Sequence, residues 1–453
     1  MLARLLPLTL LILTAGLLTA EENYPQFRGK GGRGVVESAV VPADWSLRDY
    51  QDWEIEIPGS GWSQPIIWNQ LVFVTAAVAA KDIRPKSFGD SVRLPQSMGL
   101  GSSKAPDFEI DWMLYCIDAK TGKKRWESRM GRSKPAFSVH PSNTYATETP
   151  AVDKNGVYVY FGGLGRITSF SFDGKRQWSK EVGAFKTGNS FGTGSSLAVH
   201  DGLLYLQNYN EENANLWCFH SQSGEVAWKN SRERTGTSWS TPVVWQNENR
   251  VEVISSGGIR TDSFDPLTGE TLWTLRKAKT ATACSMGSDR NRIYFGGSDP
   301  FSKGPLFAVA SGGSGDVSPK RTNKEFESCS WLIPASGPGM ASPVSNGEHL
   351  YIVDKNILKC YDTTDGKRLY QNRISKMNMI VASPMVLGNH LLMIGEKGGV
   401  GIADTGADFS YKEVGRLEDL VWSTPAATRN AVYIRGVKKL LRIGLTQAKK
   451  KVR

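Results

Sequence analysis

The residues best suited to catalysis or ligand binding lie in one short segment, His140-Pro-Ser-Asn-Thr-Tyr-Ala-Thr-Glu148. Within nine positions it carries an imidazole, a carboxamide, a phenol and a carboxylate, on His140, Asn143, Tyr145 and Glu148. Such polar groups, when they converge with aromatic side chains on a concave surface, are typical of a small-molecule or peptide site. The alternative is that they fill a channel and satisfy one another. Choosing between the two requires the fold that positions the segment.

Residue types that ligate metals show no metal-binding spacing. The chain has five cysteines and five histidines, with no CxxC, no HExxH and no dense Asp/Asn loop of the calcium type. We therefore predict no metal site. Cys116, Cys218 and Cys360 each lie ten residues before an aromatic residue of an internal repeat, at a position that favours a small side chain. Because equivalent positions of different repeat units are beyond disulfide reach, we expect mostly free thiols; Cys329 has no assigned role.

An internal repeat of eight units determines the predicted fold class. Each unit begins at an anchor residue, and the anchors are Pro65, Pro150, Leu197, Pro242, Met286, Pro343, Pro384 and Pro425. Ser or Thr precedes seven of the eight anchors, and Gln64 precedes the first. In most units a later turn carries Asp or His and then Gly, as in Asp118–Gly122, and an aromatic residue follows. We predict that these aromatics pack between units; they include Trp126, Trp178, Trp228, Trp273 and Tyr370.

Each unit supplies four short strands, A to D from the centre outwards, which is the pattern of a β-propeller blade. The last unit, Trp422 to Leu445, supplies only three strands. Its missing outer strand is predicted in Trp53–Ile57, where apolar and polar residues alternate. The sequence therefore predicts an all-β fold: a single eight-bladed β-propeller of four-stranded blades at 51–446. Its ring is closed by the N-terminal strand joining the C-terminal blade.

Strand direction alternates within a blade, so the B–C and D–A loops lie on one face, which we call the mouth face. Residues just before strand A ring the mouth of the central channel there. Trp62, Trp239 and Trp422 each precede an anchor by three residues, and Glu148 precedes one by two. The predicted ligand or partner contacts are His140, Asn143, Tyr145, Glu148, Trp62, Trp239 and Trp422. An insertion at roughly 78–111 in the first blade decorates the same face, and the Gly/Ser-rich stretch 311–324 is expected to be a mobile loop.

The ends of the chain indicate export. Residues 1–20 have one basic residue, an apolar run and a small-residue pattern before Glu21, which together are typical of a signal peptide. An uncleaved membrane anchor is the alternative, but the run is shorter than the roughly 18 to 20 residues that span a bilayer. Residues 21–50 form an N-terminal extension and 447–453 a basic tail. The basic residues behind the net charge of +11 are scattered over turns, so we expect no nucleic-acid binding. We also expect no transmembrane segment, and a periplasmic or secreted monomer.

Four segments carry a family resemblance: Asn23-Tyr-Pro-Gln-Phe-Arg-Gly29, His140–Pro150, Phe161–Gly165 and Gly192–Ser196. With them the chain resembles exported bacterial propellers built from pyrroloquinoline-quinone-like (PQQ-like) repeats. The repeat Asp-x-x-Thr-Gly-x-x-x-Trp is also similar to that of the outer-membrane-assembly propeller lipoprotein and, more distantly, of quinoprotein dehydrogenases. Those dehydrogenases use adjacent cysteines and a calcium segment, and the lipoprotein has a lipid-bearing cysteine after its signal. None of these three features is recognisable in this sequence.

The resemblance implies the fold more strongly than the activity, because enzymes and scaffolds share this blade repeat. We expect a non-enzymatic binding or scaffolding propeller of the bacterial cell envelope. Its partner would be an envelope protein or a small ligand at the mouth face. The alternative is a quinone-dependent oxidoreductase that uses the channel mouth. We assign no catalytic residue and expect no cofactor, since the sequence offers no recognisable set of groups for pyrroloquinoline quinone.

Overall fold

A computed structural model of the protein describes residues 23–91, 104–232, 235–276, 283–298, 303–319 and 329–446. The predicted signal peptide 1–20 and basic tail 447–453 lie outside these residues. Among the described residues, regular helix is confined to α1 (Leu47–Tyr50), α2 (Phe88–Ser91) and two 3-10 turns at Lys30–Gly32 and Gly188–Ser190. In the part of the chain that the structure describes, no helix is long and apolar enough to cross a membrane.

The strands of the described residues form eight sheets, each of which contains a four-stranded blade. The first two strands are β1 (Val35–Val36) and β2 (Gln51–Glu56). Blade 1 contains β3 (Ile66–Trp68), β4 (Leu71–Ala79), β5 (Ile110–Asp118) and β6 (Lys124–Ser133). Blade 2 contains β7 (Ala151–Asp153), β8 (Gly156–Phe161), β9 (Arg166–Phe170) and β10 (Arg176–Glu181). Blade 3 contains β11 (Leu197–His200), β12 (Leu203–Asn208), β13 (Asn215–His220) and β14 (Val226–Ser231).

Blade 4 contains β15 (Val243–Gln246), β16 (Val251–Ser256), β17 (Arg260–Phe264) and β18 (Thr271–Arg276). Blade 5 contains β19 (Gly287–Ser288), β20 (Arg292–Ser298), β21 (Lys303–Ala310) and, after β22 (Gly315–Asp316), β23 (Cys329–Ile333). Blade 6 contains β24 (Val344–Ser345), β25 (His349–Asp354), β26 (Ile357–Asp362) and β27 (Arg368–Arg373). Blade 7 contains β28 (Met385–Leu387), β29 (His390–Ile394), β30 (Gly399–Asp404) and β31 (Lys412–Arg416). Blade 8 contains β32 (Ala426–Thr428), β33 (Ala431–Arg435), β34 (Lys439–Gly444) and the N-terminal β2. The eight-bladed all-β fold predicted from the repeat is confirmed.

The turn glycine and the blade aromatic meet at the junction between neighbouring blades. Gly174 in the C–D turn of blade 2 has a φ of 86°, and a Cβ placed on it would lie 2.8 Å from the ring of Trp126 in blade 1. The Trp126 Nε1 donates a hydrogen bond of 2.8 Å to the Phe172 carbonyl beside the same turn. Glycine is therefore needed both for the left-handed backbone and for the close approach of the indole. Four further pairs repeat this contact: Trp53–Gly122, Trp178–Gly224, Trp228–Gly269 and Trp331–Gly366.

Cys116, Cys218 and Cys360 occupy the small-residue position that the repeat predicts. Cys116 lies opposite Trp126 in the β5–β6 pair, and Cys218 lies opposite Trp228 in the β13–β14 pair. Cys360 likewise lies opposite Tyr370. All five cysteines are free and buried. A small side chain in strand C leaves room for the large aromatic of strand D.

A girdle of hydrogen bonds around the channel explains the hydroxyl residues before the anchors. The Gln64 amide donates to Thr149 Oγ1, and the Thr149 amide donates to Ser196 Oγ, both at 2.9 Å. The series continues from blade to blade at 2.8 to 3.1 Å through Thr241, Ser285, Ser342, Ser383 and Thr424. At the junction of blades 8 and 1, the Gln64 side chain reaches the Pro425 carbonyl instead. Each hydroxyl thus accepts from a buried N–H, which would otherwise cost stability.

The junction of blades 8 and 1 has the same tryptophan–glycine contact as four other junctions. Strand β2 pairs antiparallel with β34 and is the outer strand of blade 8. From β2, Trp53 donates its Nε1 hydrogen to the Ala119 carbonyl of blade 1 at 3.1 Å. Nearer the channel, Ser423 Oγ donates to the Ser63 carbonyl at 3.0 Å. An N-terminal strand and three C-terminal strands therefore build one blade.

Residues 23–36 close the central channel at the face opposite the mouth. Tyr24 exchanges two backbone hydrogen bonds with Ile67 of β3, and β1 pairs parallel with β28 of blade 7. Between these points Arg28, 1% exposed, extends into the channel and donates to the carbonyls of Met286 (2.8 Å) and Pro343 (2.5 Å). Burial lowers the pKa of Arg28 to about 10, so it keeps its charge at neutral pH. The N-terminal extension thus forms a plug on the axis of the ring.

The stretch 311–324, which was predicted to be a mobile loop, contains a strand. Gly315–Asp316 of the stretch 311–324 form β22, which pairs parallel with the outer strand β18 of blade 4. The stretch therefore covers a sheet edge that would otherwise present unpaired backbone groups. The expectation of a mobile loop is wrong for these residues, and 320–324 lie outside the described residues.

Candidate functional site

Two D–A loops carry most of the mouth residues. The first mouth loop, 134–150, joins β6 to β7, and the second, 182–196, joins β10 to β11. Both loops lie on the mouth face because strand D ends there and strand A begins there. They lie side by side at blades 1 to 3, so their side chains meet across the blade 2–blade 3 junction.

His140 is half-buried and begins a tight turn in the first mouth loop. Its Nδ1 lies 2.7 Å from Ser142 Oγ and accepts from the Ser142 amide at 3.2 Å, which places the proton of the neutral ring on Nε2. The Asn143 amide donates back to the His140 carbonyl at 2.8 Å. Burial lowers the pKa of His140 below its usual value, so the ring is neutral at neutral pH. The ring contacts Phe191 of the second mouth loop edge-on, with centroids 5.1 Å apart.

Asn143 holds the two mouth loops together. Its Nδ2 donates to the carbonyls of Phe191 (2.7 Å) and Thr193 (3.3 Å). Its Oδ1 accepts from the Thr144 amide (2.8 Å) and from Thr147 Oγ1 (2.6 Å). All of these partners belong to the protein, so the carboxamide has a structural role.

Glu148 is 2% exposed and also bonds to its own surroundings. Its Oε1 accepts from the Gly162 amide at 2.9 Å and from the hydroxyl of Thr193. Burial raises the pKa of Glu148 above its usual value, although these two donors act in the opposite direction. The carboxylate therefore links the first mouth loop to blade 2 and to the second mouth loop.

Tyr145 lies beneath the mouth rather than at its surface. It is 7% exposed, packs in the core between blades 1 and 2, and donates its hydroxyl to the Phe137 carbonyl at 3.2 Å. Burial raises the pKa of its phenol. Of the predicted site residues, Tyr145 is the one whose contacts are those of a core side chain.

Trp62 and Trp422 form a stacked pair at the junction of blades 1 and 8. Their ring centroids are 5.8 Å apart and their planes differ by 15°. Trp62 donates to the Ser142 carbonyl of the first mouth loop at 2.9 Å, and Trp422 donates to Glu396 Oε1 of blade 7 at 2.7 Å. Glu396 also accepts from the amide of Phe88 at 2.5 Å, so the insertion of blade 1 reaches across the mouth to blade 7.

Trp239 stands on the other side of the mouth. Its Nε1 donates to the Gly192 carbonyl at 2.7 Å, and its ring lies 5.6 Å from that of Phe191 at an interplanar angle of 49°. Both rings are half-buried. With His140 they form a continuous aromatic surface, His140–Phe191–Trp239, which we call the aromatic platform.

The structure thus divides the predicted site residues into separate groups. His140, Asn143 and Trp239 meet around the second mouth loop, and Trp62 stacks with Trp422. Phe191 and Glu396 were missed by the sequence analysis. Glu396 lies in a B–C turn, and because strand direction alternates, every B–C turn lies on the mouth face; its place in the repeat could therefore have identified it. Phe191 stands in a Gly-rich loop outside the repeat register and gave no such signal.

The chemical capacity of the mouth follows from these contacts. Its polar side chains form bonds that hold loops. The rings of Phe191, Trp239 and Trp422 remain partly accessible, whereas Trp62 is only 4% exposed. A planar quinone requires a gap between two flat walls, whereas Trp62 and Trp422 already touch at the separation of stacked neighbours. The residues at this pair therefore do not fit pyrroloquinoline quinone. Among the described residues, no group of three or more His, Cys, Asp or Glu could hold a metal ion.

Comparison with known families agrees with this architecture. A family model described as outer membrane protein assembly factor BamB matches residues 111–262, 165–314 and 260–452, which together make up well over half of the chain. The chain belongs to this family of PQQ-like repeat propellers. A sequence search among curated proteins gives no match.

Solved structures show the same fold at low sequence identity. BamB from Moraxella catarrhalis aligns with a TM-score of 0.52 and 11% identity, over 84% of this chain and 98% of that one. The Dos1 propeller aligns with a TM-score of 0.56 and 10% identity, over 88% and 97%. A europium-containing methanol dehydrogenase aligns with a TM-score of 0.48 and 11% identity, over 86% of this chain and 91% of that one.

Proposed function

We propose that this protein is a non-enzymatic binding or scaffolding propeller of the bacterial cell envelope. Its mouth face contacts the partner, which is an envelope protein or a small ligand. The protein acts as an exported monomer, in the periplasm or outside the cell. The name of the matching family refers to outer membrane protein assembly, which supports an envelope location and a scaffold role.

One observation carries the proposal: the mouth groups that could move protons are engaged in structural bonds, while the aromatic platform is partly exposed. Asn143 and Glu148 bond to backbone and hydroxyl groups of the two mouth loops. His140 uses its Nδ1 within its own turn. Aromatic rings at a rim of this kind are suited to contact rather than to acid–base chemistry, because they supply large apolar area at low entropic cost.

The second class of function, a quinone-dependent oxidoreductase, makes a different prediction. Such an enzyme would show quinone absorbance as purified, or would oxidise alcohols with an artificial dye after addition of quinone and calcium. A binding propeller shows neither. Dye reduction that depends on both additions would overturn the proposal.

A matched pair of surface variants tests the binding face. Met340, 36% exposed, lies three residues before the anchor of blade 6 on the mouth face, and Leu267, 74% exposed, lies in a C–D turn on the opposite face. Arginine at either exposed position should change stability by no more than about 0.5 kcal/mol. We expect Met340→Arg to reduce capture of the partner from envelope extract and Leu267→Arg to leave it unchanged. Equal capture by both variants would contradict the assignment of the mouth face.

A further inference from the structure

A small pit lies beside the aromatic platform, between blades 2, 3 and 4. Its lining includes Tyr160, Thr193, Ser195, Gln207 and Ser238, and no described residue that lines it carries a charged side chain. Its volume of about 10 Å³ holds a single water-sized group. The pit is therefore too small for a whole ligand and large enough for one hydroxyl of a ligand.

Ser195 gives the pit an unmet hydrogen-bonding capacity. The residue is 6% exposed, and its hydroxyl has no hydrogen-bond partner among the described residues. A buried hydroxyl without a partner costs stability, so native structures rarely keep one without reason. Neighbouring groups are already engaged: Gln207 Nε2 donates to Ser238 Oγ at 3.0 Å, and Thr193 Oγ1 donates to Glu148.

Trp239 forms the wall next to the pit. A Cβ added to Gly194, which lines the pit, would lie 3.5 Å from both Cβ and Cδ1 of Trp239. Aromatic faces carry a negative quadrupole that attracts weakly positive C–H groups. An apolar face beside uncharged hydroxyl and amide groups matches a molecule that has a C–H face and hydroxyls at its edge.

We propose that the pit and the aromatic platform bind the terminal ring of a neutral saccharide. One hydroxyl or hydroxymethyl group enters the pit and bonds to Ser195 Oγ, while the C–H face of the ring packs on Trp239. Glu148 accepts a hydrogen bond from Thr193 in the pit lining, and its ionised form disfavours an anionic ligand. The assignment rests on the proposed function, since it names the chemistry of the ligand at the same mouth.

The test is calorimetric titration of the mature protein with three neutral oligosaccharides: maltotetraose, cellotetraose and tetra-N-acetylchitotetraose. We expect at least one to bind with a Kd of about 0.1 to 1 mM, weak because only one group is enclosed. Ser195→Ala should weaken binding about fivefold to tenfold, the loss of one hydrogen bond. The melting temperature should not fall, because the removed hydroxyl has no partner in the free protein.

Gly194→Ala provides a steric variant of the same test. The added methyl makes ordinary contacts and the backbone φ lies outside the left-handed region, so the variant should fold while filling the pit. We expect it to abolish saccharide binding. Gly406→Ala in a C–D turn on the opposite face, where an added Cβ meets nothing within 4 Å, is the matched control and should bind as wild type does.

Each alternative outcome is informative. If none of the three sugars binds at about 10 mM, the pit holds water only and the saccharide assignment is wrong. If a sugar binds but Ser195→Ala and Gly194→Ala leave its Kd unchanged, it binds elsewhere and the assignment is equally wrong. In both cases partner capture that is lost in Met340→Arg would leave the proposed function intact.

Discussion

Replacing Trp53 by Ala tests whether the N-terminal strand closes the ring. Trp53 is 9% exposed in β2, packs against Gly122 and donates to the Ala119 carbonyl of blade 1. Truncation of a buried Trp costs about 3 to 5 kcal/mol, and the Ala119 carbonyl loses its donor as well. We therefore expect the free energy of unfolding to fall by at least about 3 kcal/mol.

Trp126→Ala is the matched control, because Trp126 makes the same contact with Gly174 at the junction of blades 1 and 2. That junction is continuous in sequence, whereas the Trp53 junction joins the two ends of the propeller. Both variants should lose stability in denaturant titrations. Only Trp53→Ala should speed amide hydrogen exchange in β2 and β34 and promote aggregation through the freed edge of β34. Wild-type exchange rates in β34 of Trp53→Ala would refute the closure.

Two further predictions concern buried titratable groups. Glu148→Gln keeps an oxygen acceptor for the Gly162 amide and Thr193, so its stability should stay within about 1 kcal/mol of wild type near pH 4. Because burial raises the pKa of Glu148 above 4.5, wild type should lose stability relative to the variant as pH rises through that raised pKa; parallel stability curves from pH 4 to 8 would contradict this. Thiol titration should find five free cysteines in denaturant and little reaction in the native state, since burial raises the pKa of four of them to about 12; two intact disulfides would be incompatible with the blade assignment.

The fold was predictable because most blades repeat the same pattern of residues. The hydroxyl before the anchor, the turn glycine and the blade tryptophan recur at fixed spacing, so eight weak signals add up to a strong one. Their physical reasons appear only in three dimensions. Thr149 accepts from the amide of the preceding blade, and Gly174 makes room for Trp126. The repeat spacing therefore indicated where these residues stand but not what they contact.

Features that break the repeat were not predictable in this way. Arg28 reaches the carbonyls of Met286 and Pro343, more than 250 residues away in sequence, and nothing in its local pattern indicates that it plugs the channel. Glu396 meets the Phe88 amide across a separation of 308 residues. Such contacts depend on the closed ring, which brings distant loops to one face.

For the candidate site, the repeat predicts which face of the propeller carries these residues, but not which side chains contact one another there. Trp62 and Trp422, at equivalent positions before strand A of neighbouring blades, stack on each other. Tyr145, however, points into the core between blades 1 and 2 because it lies on the inner side of its loop. Sequence spacing does not specify towards which side of an irregular loop a side chain points, so the orientation of loop residues is known only from the structure.

Hydrogen–deuterium exchange on the protein with its captured envelope partner tests the central claim most directly. We expect protection in the two mouth loops, 134–150 and 182–196, and in the B–C turn around Glu396. Turns on the opposite face, such as Asp265–Gly269, should exchange as in the free protein. Protection confined to the opposite face, with unchanged exchange in both mouth loops, would contradict the mouth as the binding surface.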